Sequence, residues 1–119
     1  MEEIMAALHT LRIPLVTDEY RLQELVVRAL EENGVAYQKE ARLAPRCRVD
    51  FLCGDGVVLE IKRGKPAQRT LTAQLRRYAA LEPVKAIVVV VERTAEIPKT
   101  LNGKPCCVVA LNRLWGVAL

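Results

Sequence analysis

The segment from Arg48 to Lys62 constrains the fold more than any other part of the chain. Two alternating runs, Arg48 to Cys53 and Val57 to Lys62, flank Gly54-Asp55-Gly56, a three-residue turn of the kind that closes antiparallel hairpins. If Cys53 pairs with Val57, then Phe51 pairs with Leu59, Val49 pairs with Ile61, and Asp50 sits opposite Glu60. Side chains alternate along a strand, so Val49, Phe51, Cys53, Val57, Leu59 and Ile61 make one wholly apolar face. Arg48, Asp50, Glu60 and Lys62 share the other. A one-residue slip would send the two acids to opposite faces, and the apolar pattern argues against it.

The rest of the chain supplies helices and strands to pack around this hairpin. Ile4, Met5, Leu8 and Leu11 have helical spacing, and Pro14 ends that segment. Thr17 reads as an N-cap, with Asp18 and Glu19 in the first turn of a helix whose stripe is Leu22, Leu25, Val26, Ala29 and Leu30. Asn33-Gly34 closes it, and a strand follows from Val35 to about Leu43. A second helix is predicted from about Thr70 to Leu81, with Leu71, Leu75, Tyr78 and Ala79 on one face. Val84 to Val91 is apolar apart from Lys85 and largely β-branched, the signature of a central strand buried on both faces. A loop or short helix spans Arg93 to Leu101, and Asn102-Gly103-Lys104-Pro105 turns into a final strand, Cys106 to Leu111. The expected architecture is a single α/β domain of 119 residues, ordered α-β-β-β-α-β with a C-terminal strand.

Two acids and a lysine on one patch of sheet form a chemical pattern. Carboxylates brought close repel each other unless one is protonated or a cation bridges them. Hard oxygen ligands with open positions suit Mg2+ or Mn2+, which acidify a bound water and neutralise charge on a phosphate. Lys62, one pleat repeat from Glu60, is spaced to orient that water. The plain alternative is a surface hairpin with an exposed acid and a Glu–Lys pair.

The element order and these residues resemble the PD-(D/E)xK nuclease superfamily. In that core a helix precedes three antiparallel strands, and a second helix crosses over to a strand that joins in parallel. The resemblance covers roughly Thr17 to Val91 and implies a restriction-endonuclease-like fold. Asp50 matches the first metal-binding acid, and Leu59-Glu60-Ile61-Lys62 matches the hydrophobic-Glu-x-Lys signature. By this resemblance Asp50, Glu60 and the Ile61 carbonyl would hold the metal, and Lys62 would contact the nucleophilic metal-bound water. Gln74 and Tyr78 resemble the Gln-x3-Tyr motif of the RecB-like and lambda-exonuclease-like branch. Glu19 and Gln23 resemble the helix acid and amide of the VRR-NUC groups, where Glu19 would touch the metal's water shell. Glu24 and Glu40 are rivals for that acid; a strand pair with Arg42 or Arg48 is the other reading of Glu40. Val49, not proline, precedes Asp50, which departs from the family pattern.

Charge distribution points the same way. The net charge is +4, and Arg42, Arg46, Arg48, Lys62, Arg63, Lys65, Arg69, Arg76 and Arg77 crowd the proposed site while acids gather in the N-terminal third. A basic rim around an acidic centre suits a polyanion, DNA or alternatively RNA. Arg48, Arg63 and Arg77 join Gln23, Gln74 and Tyr78 as expected substrate contacts. Cys47, Cys53, Cys106 and Cys107 lack zinc spacing, and they also differ from the four-cysteine iron–sulfur pattern of some of the resembling nucleases. The acidic start, Glu2-Glu3, is unlike a secretory signal, and no apolar run reaches membrane-spanning length, so a cytoplasmic protein is expected. The expected activity is hydrolysis of DNA phosphodiesters with Mg2+ or Mn2+, by a homodimer or within a larger repair or recombination assembly. The competing readings are a nucleic-acid-binding module without catalysis and a small α/β interaction protein.

Overall fold

The Gly54-Asp55-Gly56 turn forms and sets the register of the sheet. In a computed structural model that describes residues 1–11, 19–64, 66–92 and 95–111, Cys53 pairs with Val57, Leu52 with Val58 and Phe51 with Leu59. In chain order the elements are helices α1 (Glu2–Leu8) and α2 (Glu19–Glu32), strands β1 (Tyr37–Ala44), β2 (Cys47–Cys53) and β3 (Val57–Lys62), helix α3 (Gln68–Ala79), and strands β4 (Ala86–Val91), β5 (Thr100–Leu101) and β6 (Lys104–Ala110). Gly56 is required by this turn. Its φ is +116°, its carbonyl accepts the Lys85 N–H at 2.7 Å, and a Cβ there would stand 2.4 Å from the Pro83 carbonyl oxygen.

The six strands form one mixed sheet in the order β1-β2-β3-β4-β6-β5. β1, β2 and β3 are successively antiparallel; α3 then carries the chain across so that β4 runs parallel to β3. β6 lies parallel to β4 on its other side, so the C-terminal segment completes the sheet rather than hanging off it. The predicted loop or short helix after Arg93 ends instead in β5, which pairs with β6 across Asn102-Gly103, both at positive φ.

Helices cover both faces. Leu22, Val26, Ala29 and Leu30 of α2 join Ile4, Ala7 and Leu8 of α1 over Phe51, Leu59, Ile61, Val88 and Val90. Leu71, Leu75, Tyr78 and Ala79 of α3 cover Val58, Ile87, Val89 and Val91 on the other side. Both helix stripes are those the spacing predicts. β4 is buried at every residue, as an apolar run between two helical layers must be. Helix α2 ends as Asn33-Gly34 implies: Gly34 adopts φ +70° and the Val35 N–H reaches the Leu30 carbonyl at 2.9 Å. The expected N-cap Thr17, together with Asp18, lies outside the described residues. No helix among the described residues is long and apolar enough to cross a membrane.

One predicted pairing is corrected. Val49 does not share the face of Phe51; it packs with Ala41 in the α3-side cluster. The β1–β2 ladder runs from Tyr37–Cys53 to Lys39–Phe51 and resumes at Ala41–Val49, with Glu40 at φ +51° between. The register is the same on both sides of this unpaired step, yet Val49 and Phe51 lie on opposite faces, so the alternation of β2 breaks at Asp50.

Candidate active site

The backbone ladder between β2 and β3 ends at Phe51–Leu59, one residue short of the two acids. Past that point the side chains replace the main chain as bridging acceptors. The Asp50 N–H donates to Glu60 Oε1 at 2.9 Å, and the Ile61 N–H donates to Asp50 Oδ2 at 2.8 Å. Each acid therefore satisfies an amide at the opened end of the neighbouring strand, which locks both carboxylates into one place. Asp50 does face Glu60, but through this exchange rather than through a ladder pair.

Glu60 is 3% exposed and is the sole charged residue among the described buried residues. Burial, followed by the charge of Asp50, pushes its carboxyl up to about 7. The Asp50 amide, Lys62 and Tyr78 oppose that rise. Lys62 Nζ stands 3.7 Å from Glu60 Oε2 and is only partly exposed, so the Glu-x-Lys pair converges as its spacing predicts.

α3 supplies a further member. Tyr78 is buried, and its hydroxyl donates to the Arg48 carbonyl at 3.4 Å while interacting with Glu60. Burial and then the Glu60 charge raise its phenol well above the ordinary value. The Tyr78 hydroxyl thus lies against Glu60 and the β2 main chain. Gln74, one turn earlier, is half-buried on the same helix.

The arginines separate into two groups. Arg42 and Arg48 are register partners across β1 and β2, both exposed, and no ion pair joins either to Glu40 among the described residues. Like charges directly opposite are unfavourable in a sheet. Arg77 is exposed near Cys47, which burial raises, Arg77 lowers and Glu60 raises. Arg63 is instead tied to Glu92: its Nε pairs with Glu92 Oε1, and Glu92 Oε2 accepts the Gly64 N–H at 3.1 Å.

α2 packs on the sheet face opposite α3, and Gln23 is half-buried there. The Glu19 side chain and Lys65 lie outside the described residues. Cys47 and Glu92 were missed by sequence reasoning. The Lys62–Val91 parallel register carries the signal for Glu92, because it sets Arg63 and Glu92 as the next residues along neighbouring strands.

The donor chemistry fits a divalent metal. Two carboxylates held together, one of them pushed towards neutrality by burial and then by the charge of the other, are short of positive charge, and hard oxygens suit Mg2+ or Mn2+. Among the described residues no group of three or more His, Cys, Asp and Glu side chains converges. The Ile61 main chain is already against Asp50. All four cysteines are free thiols. Comparison with protein-family models, with curated proteins and with solved structures gives no match for the chain.

Proposed function

We propose that this protein is a divalent-metal-dependent nuclease that hydrolyses DNA phosphodiester bonds on a restriction-endonuclease-like sheet. The observation that carries this reading is the opened end of the β2–β3 ladder, where Asp50 and Glu60 each bind the other strand's amide beside Lys62. A surface hairpin with ornamental acids would keep its ladder and leave the acids in water. The antiparallel β1-β2-β3 unit, followed by the α3 crossover to a parallel β4, supports the fold assignment.

In this reading Asp50 and Glu60, with the Ile61 carbonyl, hold Mg2+ or Mn2+. The metal when bound supplies an acidified water and neutralises charge on the phosphate. Lys62 orients the attacking water and stabilises charge developing on the phosphate oxygens. Tyr78 keeps Glu60 in position through its buried hydroxyl. Arg77, on α3 with Tyr78, holds the strand electrostatically, which makes binding weaken with salt.

The test is cleavage of single-stranded, duplex, flapped and four-way-junction DNA with Mg2+, Mn2+ or EDTA, by wild type and Lys62→Ala in parallel. Metal-dependent products that vanish in the variant support the proposal. Metal-dependent cutting that survives the substitution refutes the assigned site. DNA retention without cleavage, in every metal, gives a binding module in place of an enzyme.

A further inference from the structure

We infer that the Arg63 guanidinium and the Gly64 amide form an oxyanion site for a DNA phosphate, occupied in the free protein by the Glu92 carboxylate. The inference rests on the nuclease reading of the neighbouring acids, and it adds a second anchoring point with a built-in competitor. Three observations carry it. First, one carboxylate collects two different donors: Arg63 Nε on Oε1 and the Gly64 N–H on Oε2. A guanidinium and a main-chain amide converging on paired oxygens is a donor set that a phosphate satisfies equally well. Second, the site directly follows Lys62, at the end of the strand that carries the acids. Gly64 turns the chain there with φ +66°, which frees its N–H from the strand direction.

Third, the site is accessible. The Arg63 and Glu92 side chains are 34% and 26% exposed, and a Cβ placed on Gly64 would meet nothing within 4 Å. A partly exposed ion pair is weak and screened by salt, so an incoming phosphate can exchange for the carboxylate. Arg63 Nε and the Gly64 N–H are then open to a phosphate together only when Glu92 leaves.

The test is duplex binding in EDTA over a salt series, by wild type, Glu92→Gln, Arg63→Ala and the double variant, with a thermal melt of each. Glu92→Gln keeps an oxygen for the Gly64 amide and removes the charge that holds Arg63. It is expected to bind about tenfold tighter, the scale of one charge-assisted hydrogen bond. Its log-affinity slope against log salt should steepen by about 0.9, one further phosphate contact. Arg63→Ala alone should change little, and in the double variant the gain should vanish. If Glu92→Gln melts far below wild type, Glu92→Ser replaces it in the same comparison. A gain of equal size with and without Arg63 overturns the site, because charge removal alone then explains it. No gain overturns it too. Cleavage by a wild type whose Glu92 variant binds no tighter sinks this site and leaves the nuclease reading standing. A gain that needs Arg63, in a protein that never cleaves, does the reverse.

Discussion

Replacing Glu60 by glutamine tests the charge balance of the acid pair without deleting its hydrogen bond. The amide keeps an oxygen for the Asp50 N–H, now accepted at 2.9 Å by Oε1. The carboxyl stands at about 7 in the folded protein against an ordinary 4.5. The folded state therefore holds a proton that the unfolded chain releases once pH passes the ordinary value. Stability is fully present below that value, falls as pH rises through the folded value of about 7, and levels off above it. Roughly 2.5 pH units at about 1.4 kcal/mol each come to about 3 kcal/mol. Glutamine takes no proton, so Glu60→Gln should be more stable than wild type at pH 8 in EDTA. The gain is about 3 kcal/mol, less the lost contact with Lys62, or on the order of 10 °C in Tm for a domain of this size. At pH 4.5 the two should nearly coincide. Mn2+ or Mg2+ should raise wild-type stability by about 2.7 kcal/mol at a hundredfold excess over Kd and leave the variant almost unmoved. Urea or thermal unfolding across pH 4.5 to 8, with and without metal, reads all of this. Parallel pH curves for the two proteins would refute the account of Glu60 as a buried acid strained by its neighbour. A metal response equal in both would remove Glu60 from the donor set.

Gly56→Ala should lose more than about 2 kcal/mol in urea unfolding, since the new Cβ meets a carbonyl oxygen at 2.4 Å from a φ of +116°. An unchanged midpoint would mean the turn relaxes freely. Tyr78→Phe should cost about 1 kcal/mol of stability and raise the Glu60 carboxyl further, because the hydroxyl opposes its rise. The acid limb of the cleavage profile should then move to higher pH with KM little changed; a rise in KM alone would make Tyr78 a substrate contact.

Much of the fold is local enough to read from the chain. Gly54-Asp55-Gly56 and the alternation on either side determine the hairpin register from Cys53–Val57 to Phe51–Leu59, because period-two burial tolerates no slip. The helix stripes and the uniformly apolar β4 follow from the same logic of periodicity. Asp50, Glu60 and Lys62 could be brought together from their spacing alone. Their environment could not. The ladder opens at the acids, and Val49 changes face across the unpaired Glu40–Asp50 step; both depend on three strands meeting rather than on one strand's pattern.

Tyr78 illustrates the same limit. Its position on the α3 stripe is written in the spacing, but whether its hydroxyl reaches water or Glu60 depends on how closely α3 seats on the sheet. The Arg63–Glu92 tie is likewise set by the parallel register of β3 with β4, which a helical crossover separates in sequence. Sequence by itself determined which residues carry charge, which faces are apolar and where the chain turns, since these follow from residue type and period. Only the tertiary structure decided which of those charges are buried, and against what, because desolvation and Coulomb energy depend on distances between elements that no local pattern contains.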